Sequence, residues 1–270
     1  MGHPTIQELN DLSGNVALVT GGARNRGCDM ATALAEAGCH VAITSRSLEN
    51  AQKAAEQIAA DTGRKVAGFA CDVRFEDQVE SLVDAVLAQF GKIDILVNNA
   101  GNVVSTPDNK PLERRPVEEW EYTVDTNMKG VFLCAKHVVA RAMKPAMQGV
   151  IINIGSVAGM TGKDHRVYLG TQMGGETIDY AASKGGVINM TREMACYLAQ
   201  YNIRVNCVSP GGFWRGHSDT FTSQYSYLVP MGRMGEDGKE MKGVVVFLAS
   251  EASSYVTGIN LPVDGGMTAW

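Results

Sequence analysis

Val16-Ala-Leu-Val-Thr-Gly-Gly-Ala-Arg-Asn-Arg-Gly27 is the stretch that decides the fold. Val16 to Val19 is apolar throughout and short, which reads as a strand buried on both faces. A glycine-rich turn follows, and residues 27–37 read as a helix stopped by Gly38. Strand, turn and helix in that order place a helix N-terminus at the carboxyl end of a strand. Glycines there allow close backbone approach, and the helix amides attract a pyrophosphate. The spacing is not the strict G-x-G-x-x-G, so an ordinary glycine-rich connection is the competing reading.

Outward from that unit the pattern repeats. Strands are expected over 41–43, 65–70, 93–97, 150–154, 204–208 and 261–263. Helices are expected over 48–60, 76–90, 117–142, 180–201 and 239–249. Alternation of this kind implies right-handed βαβ units and a parallel sheet covered on both faces. The expectation is a single α/β domain over residues 1–270, built on that sheet. Its glycine-rich turn lies at 20–27 and its two long loops at 162–178 and 211–238. Ligands of such sheets bind beyond the carboxyl ends of the strands, where the polar clusters fall.

Composition narrows the function classes. The chain has 270 residues and a formal net charge of −5, with no basic block, which argues against nucleic acid or an anionic membrane as a partner. No apolar run approaches the ~18 residues of a membrane span. The start lacks a basic and apolar leader pattern and fails the myristoylation pattern at Ile6. The six cysteines are scattered without Cys-x-x-Cys, which reads as reduced thiols in a cytoplasmic protein. A disulfide framework or a metal site is not expected.

Tyr180 and Lys184 stand four apart, so a helix puts them on one face. A positive charge beside a phenol favours phenolate, which suits proton exchange with an alcohol or carbonyl oxygen. An exposed helical pair is the bland alternative. Ser156 ends the apolar run from Val150. Asp72 closes the third strand, where a carboxylate can accept from an adenine amino group. Asn98-Asn-Ala-Gly101 closes the fourth, where small residues admit a flat ring or ribose; turn chemistry is the alternative for both.

Together these motifs make the chain resemble the short-chain dehydrogenase/reductase family. The resemblance rests on Thr20-Gly21 to Gly27, Asp72-Val73, Asn98-Asn-Ala-Gly101, Asn127, Ser156, Tyr180-x-x-x-Lys184, Pro210-Gly211 and 256–266, in family order. It implies a Rossmann-type doubly wound fold, a nicotinamide coenzyme and a homotetramer. By resemblance, Tyr180 exchanges the proton, Ser156 polarises the substrate oxygen, Lys184 lowers the Tyr180 pKa and holds the ribose, and Asn127 positions a water. Gly21, Asn25, Arg26, Gly27, Val73, Asn99, Ala100, Gly101, Pro210, Gly211 and Phe213 fall on coenzyme-contacting positions. Three departures stand out. Asn25 replaces a glycine, which its tolerance of positive φ permits. Arg26 stands where an aliphatic residue is usual. Arg215 replaces a common Thr.

Coenzyme choice is also legible. NAD enzymes of this fold carry a carboxylate after the second strand. Here the run is Val41-Ala-Ile-Thr-Ser-Arg46, without one. Ser45 and Arg46 suit a 2′-phosphate, and Arg24 in the turn is a second basic position, so NADP is expected over NAD. Solvated surface arginines are the alternative.

Substrate reading rests on the loops. Ser156 and Tyr180 are 24 residues apart, further than the resemblance implies, and the excess lies in 162–178. His165, Arg166 and Tyr168 there, with Trp214 and Arg215 after Pro-Gly, are candidates to meet a hydroxylated or anionic substrate. Surface or subunit contacts are the competing reading for each. The chain resembles the sugar- and polyol-oxidising branch typified by gluconate 5-dehydrogenases. A 3-oxoacyl-carrier-protein reductase is the alternative enzyme, and an NADPH-binding regulatory protein is the non-enzymatic one.

Overall fold

The computed structural model describes residues 2–102, 111–171, 173 and 177–270. Met1, 103–110, Gln172 and 174–176, and with them part of the long loop at 162–178, lie outside the described residues.

Seven strands form one sheet: β1 (Val16–Val19), β2 (His40–Ser45), β3 (Val66–Ala70), β4 (Ile95–Asn98), β5 (Gly149–Ile154), β6 (Ile203–Pro210) and β7 (Asn260–Val263). Their order is β3-β2-β1-β4-β5-β6-β7, and every pairing is parallel. The helices are α1 (Ile6–Asn10), α2 (Asn25–Glu36), α3 (Leu48–Thr62), α4 (Glu76–Phe90), α5 (Val117–Val124), α6 (Gly130–Val138), α7 (Lys144–Ala146), α8 (Ile178–Leu198), α9 (Asp219–Tyr227) and α10 (Lys242–Ala249).

A pleated strand sends alternate side chains to opposite faces. Ala17 and Val19 of β1 join Ile95 and Val97 of β4 in a core beneath α2, α3 and α10, with Met30, Leu34, Ile58, Val245 and Leu248. Leu18 and Leu96 point the other way, into a core with Val79 and Val83 of α4, Leu133 of α6 and Leu198 of α8. Apolar side chains on both sides explain why the strands read as continuous hydrophobic runs. The expected doubly wound α/β sheet is therefore the fold.

Local signals set the helix ends. Ser47 caps α3 by accepting the Asn50 N–H at 3.3 Å, and Gly63 closes it at φ +68°. Three elements depart from expectation. The helix expected over 117–142 runs on to Ala146 and is interrupted by π turns at Asp125–Lys129 and Val139–Met143. Residues 211–238, expected as loop, contain α9. The long loop carries a 3₁₀ turn, His165–Tyr168, capped by Asp164.

Candidate active site

A cavity of about 840 Å³ opens along the carboxyl ends of the central strands. The β1–α2 turn forms its floor. Gly21 adopts φ +62° and Asn25 φ +51°, so the asparagine takes the left-handed conformation its place in the turn requires. Gly27 has no room for a side chain: a Cβ there would lie 2.3 Å from the Gly21 oxygen. Thr20 Oγ1 accepts the N–H groups of Asn99 and Ala100, both at 3.0 Å. Asn99 Nδ2 returns bonds to the carbonyls of Thr20 at 2.9 Å and Gly21 at 3.0 Å. The amide of Asn99 thus stitches the turn to β4, and Asn99, Ala100 and Gly101 line the cavity.

One end of the cavity is basic. Ser45, Arg46 and Arg24 line it, with Lys53 from α3. Arg46 Nη1 donates to the Tyr122 hydroxyl at 2.8 Å, and the Arg74 guanidinium lies 4.2 Å above the Tyr122 ring. Asp72 and Val73 line the wall beside it. The Arg74 hydrogen bonds, above all, hold the Asp72 carboxyl below its ordinary pKa, and both Asp72 oxygens accept from Arg74.

Tyr180 and Lys184 stand at the other end, on the first turns of α8. The Arg115–Asp179 ion pair, 2.8 Å and almost fully buried, pins the start of that helix. Lys184 Nζ donates to the Ile154 carbonyl at 2.7 Å and lies 5.8 Å from the Tyr180 ring centre. Burial alone would push the Tyr180 phenol up. The Lys184 ammonium, a hydrogen bond with Ser156 and the charges of Arg26 and Lys163 outweigh it and hold the pKa below the ordinary phenol value. Burial pulls the Lys184 pKa down, against the opposing influence of Tyr180 and Cys207. Ser156 is buried at the end of β5, and its Oγ also accepts the Ala158 N–H at 3.2 Å.

Asn127 lies in the π turn between α5 and α6, fully buried. Its Oδ1 accepts the Asn102 N–H at 2.7 Å; its Nδ2 donates to the Asn102 carbonyl at 2.8 Å and to Ser183 Oγ at 3.2 Å. The side chain is therefore engaged with backbone and α8, and it ties the loop after β4 to the helix carrying Tyr180.

The remaining expectations divide. Arg26 and Arg215 line the cavity. Phe213 does not: it is buried behind Arg26, whose guanidinium lies 5.1 Å from its ring centre. Pro210 and Gly211 also stand behind the lining, as part of β6 and its bond to Val263 at 3.0 Å. His165, Arg166, Tyr168 and Trp214 are outside it too. Arg166 turns to Asp164 at 2.6 Å with its side chain 83% exposed, and Tyr168 stacks on Phe221. Arg215 is held by Asp237, with Nε 2.5 Å from Oδ2.

Sequence reasoning passed over Lys53, Tyr122 and Lys163. Asn50, Lys53, Ala54 and Gln57 all line the cavity, and their i, i+3, i+4, i+7 spacing marks one face of α3. That spacing was readable; which face of the helix meets the cavity was not. Tyr122 and Lys163 come from distant segments and leave no local signal.

The comparisons with known proteins agree with this geometry. A family model described as enoyl-(acyl carrier protein) reductase matches residues 21–268. A short-chain type dehydrogenase/reductase from Mycobacterium marinum superimposes with TM-score 0.86 and 37% identity, covering 99% of this chain and 100% of that one. The chain belongs to the short-chain dehydrogenase/reductase family. It is thus an oxidoreductase acting between CH–OH and C=O groups. The 3-oxoacyl-[acyl-carrier-protein] reductase FabG of Chlamydia muridarum is 38% identical over 264 residues, 96% of this chain and 100% of that protein. A gluconate 5-dehydrogenase from Burkholderia cenocepacia, solved with NADP and tartrate, has TM-score 0.87 and 34% identity, covering 98% of this chain and 100% of that one.

Proposed function

We propose that this member of the family is an NADP(H)-dependent oxidoreductase that interconverts a secondary alcohol and a ketone on a sugar, sugar acid or polyol. The observation that carries the reading is one continuous cavity lined by the glycine-rich turn, by Arg46 and Lys53 at one end, and by Tyr180 and Lys184 at the other. The residues fit a nicotinamide dinucleotide. The missing Cβ at Gly27 lets α2 begin tight against Gly21 and Asn99, so the amides of its first turn suit a pyrophosphate, and the cluster of Arg24, Arg46 and Lys53 suits a 2′-phosphate. When bound, the coenzyme supplies or accepts the hydride.

The chain's own groups handle the oxygen. Tyr180 gives its proton to the substrate oxygen in reduction and takes it back in oxidation. Ser156, whose hydroxyl helps hold the Tyr180 pKa down, orients and polarises that oxygen. Lys184 favours the phenolate and is held toward the cavity by the Ile154 carbonyl. Asn127 acts as a positioning residue: it fixes the backbone of Asn102 against α8, and any water relay passes beside it rather than through its occupied amide.

Reduction of a 3-oxoacyl-carrier-protein thioester is the second reading, favoured by the identity to the FabG relatives. Against it, Glu118, Glu119 and Glu121 give α5 an acidic character unsuited to an acidic carrier. A homotetramer in the cytoplasm belongs to the same proposal. Exposed Val117, Trp120 and Phe132 on α5 and α6, and Tyr255 and Trp270 near the C-terminus, support self-association. The deciding experiment follows NADPH absorbance with both coenzymes against sugars, sugar acids, polyols and 3-oxoacyl thioesters. Turnover confined to thioesters would replace the first reading with the second; NADPH binding without any turnover would favour a regulatory protein.

A further inference from the structure

Arg26 puts a charge where the family resemblance leads one to expect an aliphatic side chain. It occupies the first turn of α2 and lines the cavity, with its guanidinium stacked 5.1 Å from the Phe213 ring centre. Among the described residues its side chain makes no hydrogen bond and no ion pair. The nearby carboxylates are engaged elsewhere: Asp237 holds Arg215, and Asp29 accepts the Gly238 N–H at 2.7 Å. Arg26 and Tyr180 both line this cavity, and burial disfavours the cation while Tyr180 is the group that most supports it.

A substrate whose oxygen exchanges a proton with Tyr180 must meet the hydride-carrying ring at that end. In alcohol oxidation two electrons and one proton leave the substrate carbon as hydride, the hydroxyl proton goes to Tyr180, and the ring passes from cationic to neutral. The phosphates are common to both redox forms, so Arg24, Arg46 and Lys53 cannot distinguish them. A cation at the reacting end can.

We propose that Arg26 is a redox-state selector: its unpaired guanidinium, propped on Phe213, disfavours the cationic oxidised ring and leaves the neutral reduced ring nearly unaffected. The site then holds NADPH more tightly than NADP⁺, and the bound couple is more oxidising than the free one. This rests on reading the cavity as an NADP(H) site. Two like charges within a side chain's reach at a half-buried site are enough for about a tenfold difference in affinity.

The test is calorimetric titration of NADPH and of NADP⁺ into the wild-type protein, Arg26→Met and Arg26→Lys at one ionic strength. The expected result is that Arg26→Met lowers the ratio Kd(NADP⁺)/Kd(NADPH) by about tenfold, mainly through tighter NADP⁺ binding, while Arg26→Lys preserves it. Equal weakening of both forms in Arg26→Met overturns the proposal and assigns the guanidinium to a phosphate. An unchanged ratio with unchanged affinities overturns it as well, placing the charge away from the ring. A wild-type protein that binds neither form refutes the coenzyme reading itself. Should Arg26→Met fail to fold, Arg26→Gln carries the same expectation.

Discussion

Gly27 passes so close to Gly21 that a Cβ at residue 27 would sit 2.3 Å from the Gly21 carbonyl oxygen and 2.4 Å from Asn99 Nδ2. Both neighbours belong to the stitched turn, so neither can retreat without breaking the bonds from Asn99 to Thr20 and Gly21. Gly27→Ala is expected to cost about 1–3 kcal/mol by overpacking, and to weaken coenzyme binding because the turn itself must shift. Gly243→Ala is the control: it lies in α10 with nothing within 4 Å of the added Cβ. Thermal melts should show a lower Tm for the first and an unchanged or higher one for the second. Equal Tm values and equal NADPH affinities would refute the close-packing argument.

Arg46 and Lys53 should divide coenzyme affinity by the 2′-phosphate alone. A hydrogen bond to a charged group contributes roughly 1.5–3 kcal/mol, so Arg46→Ala should weaken NADPH about tenfold to a hundredfold. Lys53→Ala should act in the same direction but less, since a flexible ammonium offers no planar fork. NADH affinity should barely move in either. Both side chains are exposed, so the losses should shrink as salt rises. Parallel losses for NADPH and NADH would show that these cations hold something common to both.

The sheet was legible because each buried strand is a short apolar run between turn signals, and all seven expected strands form. Tyr180, Lys184 and Ser156 were legible because a four-residue helical spacing and a strand end suffice to place them. Phe213, Tyr168 and Arg166 were less so. Each sits in a loop where the backbone path decides whether a side chain faces the cavity, a neighbouring ring or a local carboxylate, and sequence spacing carries no such direction. α9 was hidden for a related reason. Asp219 to Tyr227 is rich in Ser, Thr and Tyr, residues of modest helix propensity, and the Ser218 cap needs the cluster of Phe221 with Val167 and Met234 to fix it as a helix.

A phenol held below its ordinary pKa predicts a shifted pH profile. For alcohol oxidation Tyr180 must be phenolate, so kcat/KM should rise with pH and level off below the ~10 of an unperturbed tyrosine. Lys184→Met removes the largest opposing influence and leaves burial, which raises the pKa, so the inflection should move upward and the rate at neutral pH should fall. Tyr180→Phe should abolish turnover while NADPH affinity stays near wild type. Stopped-flow oxidation across pH, with parallel coenzyme titrations, checks all three. An inflection that stays in place in Lys184→Met would remove Lys184 from the electrostatics of the phenol.

Tyr168 and Phe221 stack at 5.6 Å with an interplanar angle of 29°, which docks the long loop on α9 of the same chain. Val167 is buried against Phe221, and Gln224 Nε2 donates to the Leu169 carbonyl at 3.0 Å. From α9 the Tyr225 hydroxyl accepts the Gly212 N–H at 2.5 Å, so the contact reaches the strand end that carries Phe213 and Arg215. The described part of the loop therefore has a partner within its own chain, and a subunit contact is not needed to order it. Phe221→Ala should remove roughly 3–5 kcal/mol of packing from this small cluster, less where the loop can collapse. Because the cluster is a satellite of the main cores, the loss should appear as local opening rather than global unfolding. The expected outcome is faster hydrogen exchange at residues 165–169 and a raised KM for substrate, with NADPH affinity and oligomeric mass retained. If instead the assembly dissociates while KM and substrate preference stay unchanged, the loop serves a subunit contact and not the substrate side of the cavity.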